Sequence, residues 1–132
     1  MNYNEMKNAI NSSNAPAPIG PYNQSIAAGG FLFVSGQIAI DPPTGNLIQD
    51  TIEQETSQVL RNIGAILNEA GLTFADIVKC SVFIKNMGDF GRINAVYAGF
   101  FDGTIPPARE TVEVSNLPKN VNIEISAIAL LK

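Results

Sequence analysis

A chain of 132 residues, 45% of them hydrophobic, is long enough for one domain with a real core and too short for two ordinary ones. A formal net charge of −4, with eight Lys and Arg scattered along the chain, argues against a nucleic-acid surface, which concentrates positive charge to release counterions. With no histidine and a single cysteine, Cys80, a Ser-His-Asp or Cys-His pair, a histidine metal ligand and an internal disulfide are excluded, and acid-base work falls to Asp, Glu, Tyr, Lys, backbone or water.

No apolar run approaches the roughly 20 residues that span a bilayer. The first residues lack a basic stretch followed by an apolar core, so no signal peptide is expected and a cytoplasmic location is. Neither GxxxxGK[ST] nor GxGxxG occurs, which leaves a nucleotide cofactor without support.

In chain order, residues 1–20 are rich in Asn, Ser, Ala and Pro and read as an irregular lead-in. Two strands follow, about 24–28 and 31–39, joined at Gly29-Gly30, a two-residue hairpin signal. The run "FLFV" at 31–34 is apolar on both faces, as in a strand buried on both faces. "DPPTGN" at 41–46 is a turn cluster. The clearest helix covers 52–70, where Ile52, Thr56, Val59, Leu60, Ile63, Ile66, Leu67 and Ala70 form one stripe. Thr51 with Gln54 fits a capping box, and Gly71 fits the left-handed position after the helix. A strand at 76–85 comes next. Asp89 then caps a helix over 90–101 with the face Phe90, Ile93, Tyr97, Phe100 and Phe101. Strands at 108–114 and 121–131 complete the order β-β-α-β-α-β-β.

Two helices and five or six strands predict an α+β sandwich with helices on one sheet face. In the last strand, Ile125, Ala127 and Ala129 alternate with Ile128 and Leu130, so this strand too is apolar on both sides. Other copies of the chain would cover the second face, which predicts a homo-oligomer; ordinary core strands with one partly exposed face are the alternative.

Alternation in the last strand points Val121, Ile123, Ile125 and Ala127 one way and Asn122, Glu124 and Ser126 the other. If the apolar set faces the helices, Glu124 faces the surface a partner covers, where its pKa rises toward neutrality. On an open sheet it is simply a solvated residue. Arg109 follows Pro106-Pro107 near the start of the neighbouring strand. Its planar fork suits a carboxylate, either a ligand's or that of a structural salt bridge, Glu124 included. Tyr22, after Gly-Pro in a turn, offers a hydroxyl or half-buried packing. Ser35 and Gly36 mark a bulge or a close backbone approach. Cys80 reads as inert packing.

The stretches "APAPIGPYNQS", "FLFVSGQIAIDPPTG", "NIGAILNEAGLTFADIVKCSVFIKNMGDFGRINAVYAGFF" and "PPARETVEVSNLPKNVNIEISAIAL" together resemble the reactive intermediate deaminase family, RidA/YjgF-like and also labelled L-PSP endoribonuclease-like. The resemblance spans about residues 14–131, as one domain. It implies a chorismate-mutase-like fold, a homotrimer with clefts between subunits, and no metal or organic cofactor. The activity it implies is hydrolysis of 2-imino acids such as 2-iminobutanoate and 2-iminopropanoate to 2-oxo acids and ammonia. Carried over by position, Arg109 grips the substrate carboxylate and Glu124 activates water. Tyr22 and Ser35 line the pocket, the backbone at Gly36 passes close to the ligand, and Asn94 is linked to the site. Many members carry cysteine where this chain has Thr111, whose implied role is a backbone contact; a mechanism needing that thiol is excluded here. A trimeric module that binds a small acid without turnover is the competing class. An endoribonuclease is disfavoured by the acidic charge and the lack of histidine.

Overall fold

A computed structural model describes residues 6–132. In chain order its elements are β1 Lys7–Ala9, β2 Ser25–Ala28, β3 Phe31–Gln37, α1 Ile52–Glu69, β4 Ile77–Ile84, α2 Phe90–Phe100, β5 Ala108–Glu113 and β6 Ile123–Leu130. The strands form one sheet in the order β1-β2-β3-β6-β4-β5, so the architecture is the expected α+β class. All pairings are antiparallel except β4 with β5, which is parallel.

Local chemistry accounts for most of these elements. Gly29 and Gly30 turn the β2–β3 hairpin at φ of 60° and 86°, which residues with a Cβ rarely adopt. At the start of α1 the Thr51 hydroxyl accepts a hydrogen bond from the Gln54 N–H at 3.1 Å, one half of the expected capping box. The stripe Val59, Leu60, Ile63, Ile66 and Leu67 is fully buried, each side chain contributing roughly 2 kcal/mol by leaving water. It meets Leu32 and Val34 of β3 and Ile123, Ile125, Ala127 and Ala129 of β6 in a single core.

The structure corrects three expectations. Residues 1–5 of the lead-in lie outside the described residues, but Lys7–Ala9 form a strand that pairs with β2. That strand comes from a free sheet edge and not from any alternation of its own. Asp89 does not cap α2. It is already in helical conformation at φ −86° and ψ −3°, and Asn86 caps the preceding turn by accepting from the Gly88 N–H at 2.8 Å. The third correction concerns β5 and β6, which are not neighbours, because β4 lies between them. The second face of "FLFV", for which the sequence expects a covering copy, is open within one chain: Leu32 and Val34 are buried, while Phe31 and Phe33 are 38% and 44% exposed. Their cross-strand partners Leu130 and Ile128 share that open face. Among the described residues, no helix is long and apolar enough to cross a membrane.

Candidate functional site

Glu124 lies on the open face of the sheet, opposite Phe83, as the alternation in β6 predicts. It is half-buried, and burial pushes its carboxyl above the usual carboxylate range. No hydrogen bond reaches the carboxylate among the described residues, so a proton gained or lost there costs no internal partner. The carboxylate faces a cavity of about 420 Å³ also lined by Tyr22, Ser35, Gly36, Ile38 and Pro118. Across this cavity β3 carries a bulge, taking three steps from Val34 to Gln37 against two from Ala127 to Ile125 on β6. The extra residue swings Gly36 against the acid. A Cβ at Gly36 would lie 2.1 Å from Glu124 Oε1 and 2.9 Å from its carboxyl carbon. Glycine here serves close approach, not an unusual backbone angle.

That contact makes a prediction. Gly36→Ala should displace the Glu124 carboxylate, because a side chain can swing more cheaply than a strand. Misplacing a reacting group by about 1 Å lowers a rate on the order of 100-fold. Such a loss in kcat, with a thermal midpoint near that of the wild type, is the expected result. An unchanged kcat would show that the carboxylate does not act from this position.

Around the cavity, the Ser35 hydroxyl donates to the Asn23 carbonyl at 2.7 Å. The Tyr22 side chain is 48% exposed. Its hydroxyl accepts only a long hydrogen bond, 3.5 Å, from the Ile19 N–H. The phenol is thus nearly free to serve a ligand.

Arg109 belongs to a different cluster. Its guanidinium sits 4.8 Å from the ring centre of Tyr97 and 5.6 Å from that of Phe90, attracted by both π faces. Its Nη1 donates to the Asn94 side-chain oxygen at 2.8 Å. Phe90, Asn94 and Tyr97 are spaced i, i+4 and i+7 on α2, so one helix face presents all three. Among the described residues Arg109 makes no ion pair, and its side chain is exposed. It therefore offers N–H groups for a planar anion. A hollow of about 610 Å³ beside it is lined by Asn94, Tyr97, Thr104 and Pro107. The buried Tyr97 hydroxyl has no partner of hydrogen-bond geometry among the described residues, although the Cys80 thiol lies close. Burial raises the pKa of both groups, which suits Cys80 as inert packing.

Register decides how the two clusters relate. Arg109 pairs with Cys80, and Glu124 pairs with Phe83. Cross-strand partners share a face, and side chains alternate along a strand. Cys80 and Phe83 are three residues apart on β4, so Arg109 and Glu124 project from opposite faces. Within one chain they form no salt bridge. Thr111 pairs with Val82 and falls on the Arg109 side.

The Endoribonuclease L-PSP family model matches residues 12–131. The chain belongs to the RidA/YjgF-like family. It is 55% identical to a RutC family protein of Pyrococcus horikoshii, over 94% of this chain and 98% of that one. It is 46% identical to 2-iminobutanoate/2-iminopropanoate deaminase of Salmonella typhimurium, over 95% and 98%. Among solved structures it resembles TdcF of E. coli with bound serine, at a TM-score of 0.91 and 42% identity, covering 95% and 99% of the two chains.

In this RidA/YjgF-like fold, the residues named from sequence fall into two separate clusters. Tyr22, Ser35, Gly36 and Glu124 line one; Asn94 and Arg109 line the other, with Thr111 two residues along the same strand. Sequence reasoning placed Phe90 and Tyr97 in the core alone and did not connect them with Arg109. Their spacing with Asn94 was the available signal. It also passed over Gln24, which lines the Glu124 cavity.

Proposed function

We propose that the protein hydrolyses 2-imino acids, of the 2-iminobutanoate and 2-iminopropanoate kind, to 2-oxo acids and ammonia. The observation that carries the reading is Glu124: an unpartnered, half-buried carboxylate whose pKa is raised by burial, facing a cavity. A general base works best when its pKa approaches the working pH. The deaminase named among the relatives supports the same chemistry. The serine bound by TdcF supports a small ligand bearing a carboxylate.

In the proposed reaction, the Arg109 fork holds the substrate carboxylate and orients C2. The Glu124 carboxylate takes a proton from water as the water oxygen bonds to C2, and the C=N π pair moves to nitrogen. Glu124 then returns that proton to nitrogen. The resulting carbinolamine gives its hydroxyl proton to Glu124, which passes it to the amino nitrogen; the O–H electron pair then forms the C=O bond as the C–N bond breaks, and ammonia leaves. No step calls for a histidine.

Because the two clusters sit on opposite faces, the proposed site joins the Arg109 cluster of one copy to the Glu124 cluster of the next. Such a head-to-tail contact closes into a ring, and the proposed assembly is the homotrimer. Phe31, Phe33, Val112 and Leu130, each at least 38% exposed on the open face, favour a covering partner.

The test generates 2-iminobutanoate in situ with an amino-acid dehydratase and follows ammonia release. Release faster than the uncatalysed rate is the expected result. Binding of 2-oxobutanoate with no acceleration would sink the enzyme reading in favour of a binding module.

A further inference from the structure

Gln24 is 2% exposed, and its polar groups are all engaged. Its side-chain oxygen accepts from the Ser12 N–H at 2.6 Å. Its amide nitrogen donates to the carbonyls of Ser12 at 3.0 Å, Pro16 at 2.9 Å and Ala15 at 3.3 Å. Its main-chain N–H donates to the Asn11 side chain at 2.8 Å. The main-chain carbonyl accepts from the Ser35 N–H at 2.9 Å. One residue thus ties residues 12–16, through its side chain, to the strand whose bulge carries Gly36, through its main chain. The segment it holds leads into Pro16, Ala17, Ile19 and Tyr22, which line the Glu124 cavity.

We propose that Gln24 is a positioning residue that fixes the apolar wall receiving the substrate's side chain, and so sets selectivity among imino acids. The inference rests on the imine-hydrolysis reading. With the substrate carboxylate on Arg109 and C2 at Glu124, the apolar lining is left for the side chain. That lining includes Pro16, Ala17 and Ile19 and contains no basic residue. An acidic side chain would thus find no partner there, and Pro16, Ala17, Ile19, Ile38 and Ile40 favour an apolar one. A wall held by an amide matters little to a methyl group, which barely reaches it. For a longer chain each lost methylene contact counts, at about 10-fold or more.

The experiment compares kcat/KM for imines carrying methyl, ethyl and isobutyl side chains, each made in situ by an amino-acid oxidase. Wild type, Gln24→Met and Ile19→Ala are assayed, with circular dichroism and oligomeric state recorded for each. Gln24→Met keeps the bulk and the two main-chain bonds but removes the side-chain hydrogen bonds to residues 12–16. Ile19 is 65% exposed, so its truncation spares the core and keeps the test alive if Gln24→Met does not fold. Both variants should lose about tenfold on the isobutyl imine and no more than about twofold on the methyl imine. A loss equal for all three imines in a folded Gln24→Met protein, or an unshifted ratio in Ile19→Ala, overturns the proposal. Wild type inactive on every imine instead overturns the underlying function, a distinct outcome.

Discussion

Arg109→Ala and Glu124→Gln, each nearly inactive alone, should regain activity when their subunits are dissociated, mixed and reassembled. Removing one partner of a charge-assisted bidentate contact loses about 2–5 kcal/mol, or roughly 30- to 4000-fold in rate at about 1.4 kcal/mol per tenfold. Removing a general base loses a similar factor. The register argument makes the two defects separable. A site that draws Arg109 from one copy and Glu124 from another is intact wherever a Glu124→Gln subunit supplies the arginine to an Arg109→Ala subunit supplying the acid. Random mixing of equal amounts produces that pairing at about one interface in four. Turnover near a quarter of the wild-type value is expected, read as ammonia release after reassembly. Mixed material no more active than either parent would place both residues in a site within one chain, against the opposite-face geometry. Loss of assembly in Arg109→Ala alone would assign the arginine a structural role.

The second large effect concerns pH. Burial raises the Glu124 pKa above its ordinary value of 4.5, so the folded protein holds this proton more tightly than the unfolded chain does. Stability linked to Glu124 is therefore fully present below the unfolded value and is lost as pH rises through the folded one. Glu124→Gln removes this dependence. Its thermal midpoint should match that of the wild type near pH 4 and exceed it near pH 7. Activity should move the opposite way in the wild type, since only the ionised carboxylate takes the water proton. The rate is expected to rise with pH through a midpoint above the usual carboxylate range, a limb that Glu124→Gln lacks while still binding 2-oxo acids. A wild-type limb within the ordinary carboxylate range would show that the carboxyl is not desolvated in the working site.

These outcomes bear on how much could be read in advance. The α1 stripe, the Gly-Gly hairpin and the alternation of β6 all encode their structures locally, and each appears in the fold. Glu124 was placed on the correct face because its neighbours at two-residue spacing are apolar and sit in the core. The Asn86 cap was missed because Asp89 offers the same chemistry three residues later, and only the chain's path selects between them. Lys7–Ala9 carries no strand pattern; a sheet edge made it a strand. Phe90 and Tyr97 looked like core residues; Tyr97 is one, while Phe90 is only partly buried. That their π faces also hold Arg109 depends on where the start of β5 arrives.

By itself, then, the sequence determined the fold class, the chemistry available without histidine, and a family pattern legible over most of the chain. The first two follow from composition and from periodicities within single elements; the third is a resemblance carried by particular stretches such as "PPARETVEV" and "IEISAIAL". Only the tertiary structure decided that Arg109 and Glu124 stand on opposite faces. That result depends on strand order and register: β4 intervenes between β5 and β6 and pairs them through residues of opposite parity. No count along one strand contains that information. The close approach of Gly36 to Glu124 and the hold of Gln24 on residues 12–16 likewise join segments far apart in the chain, and they exist only once the sheet has closed its register.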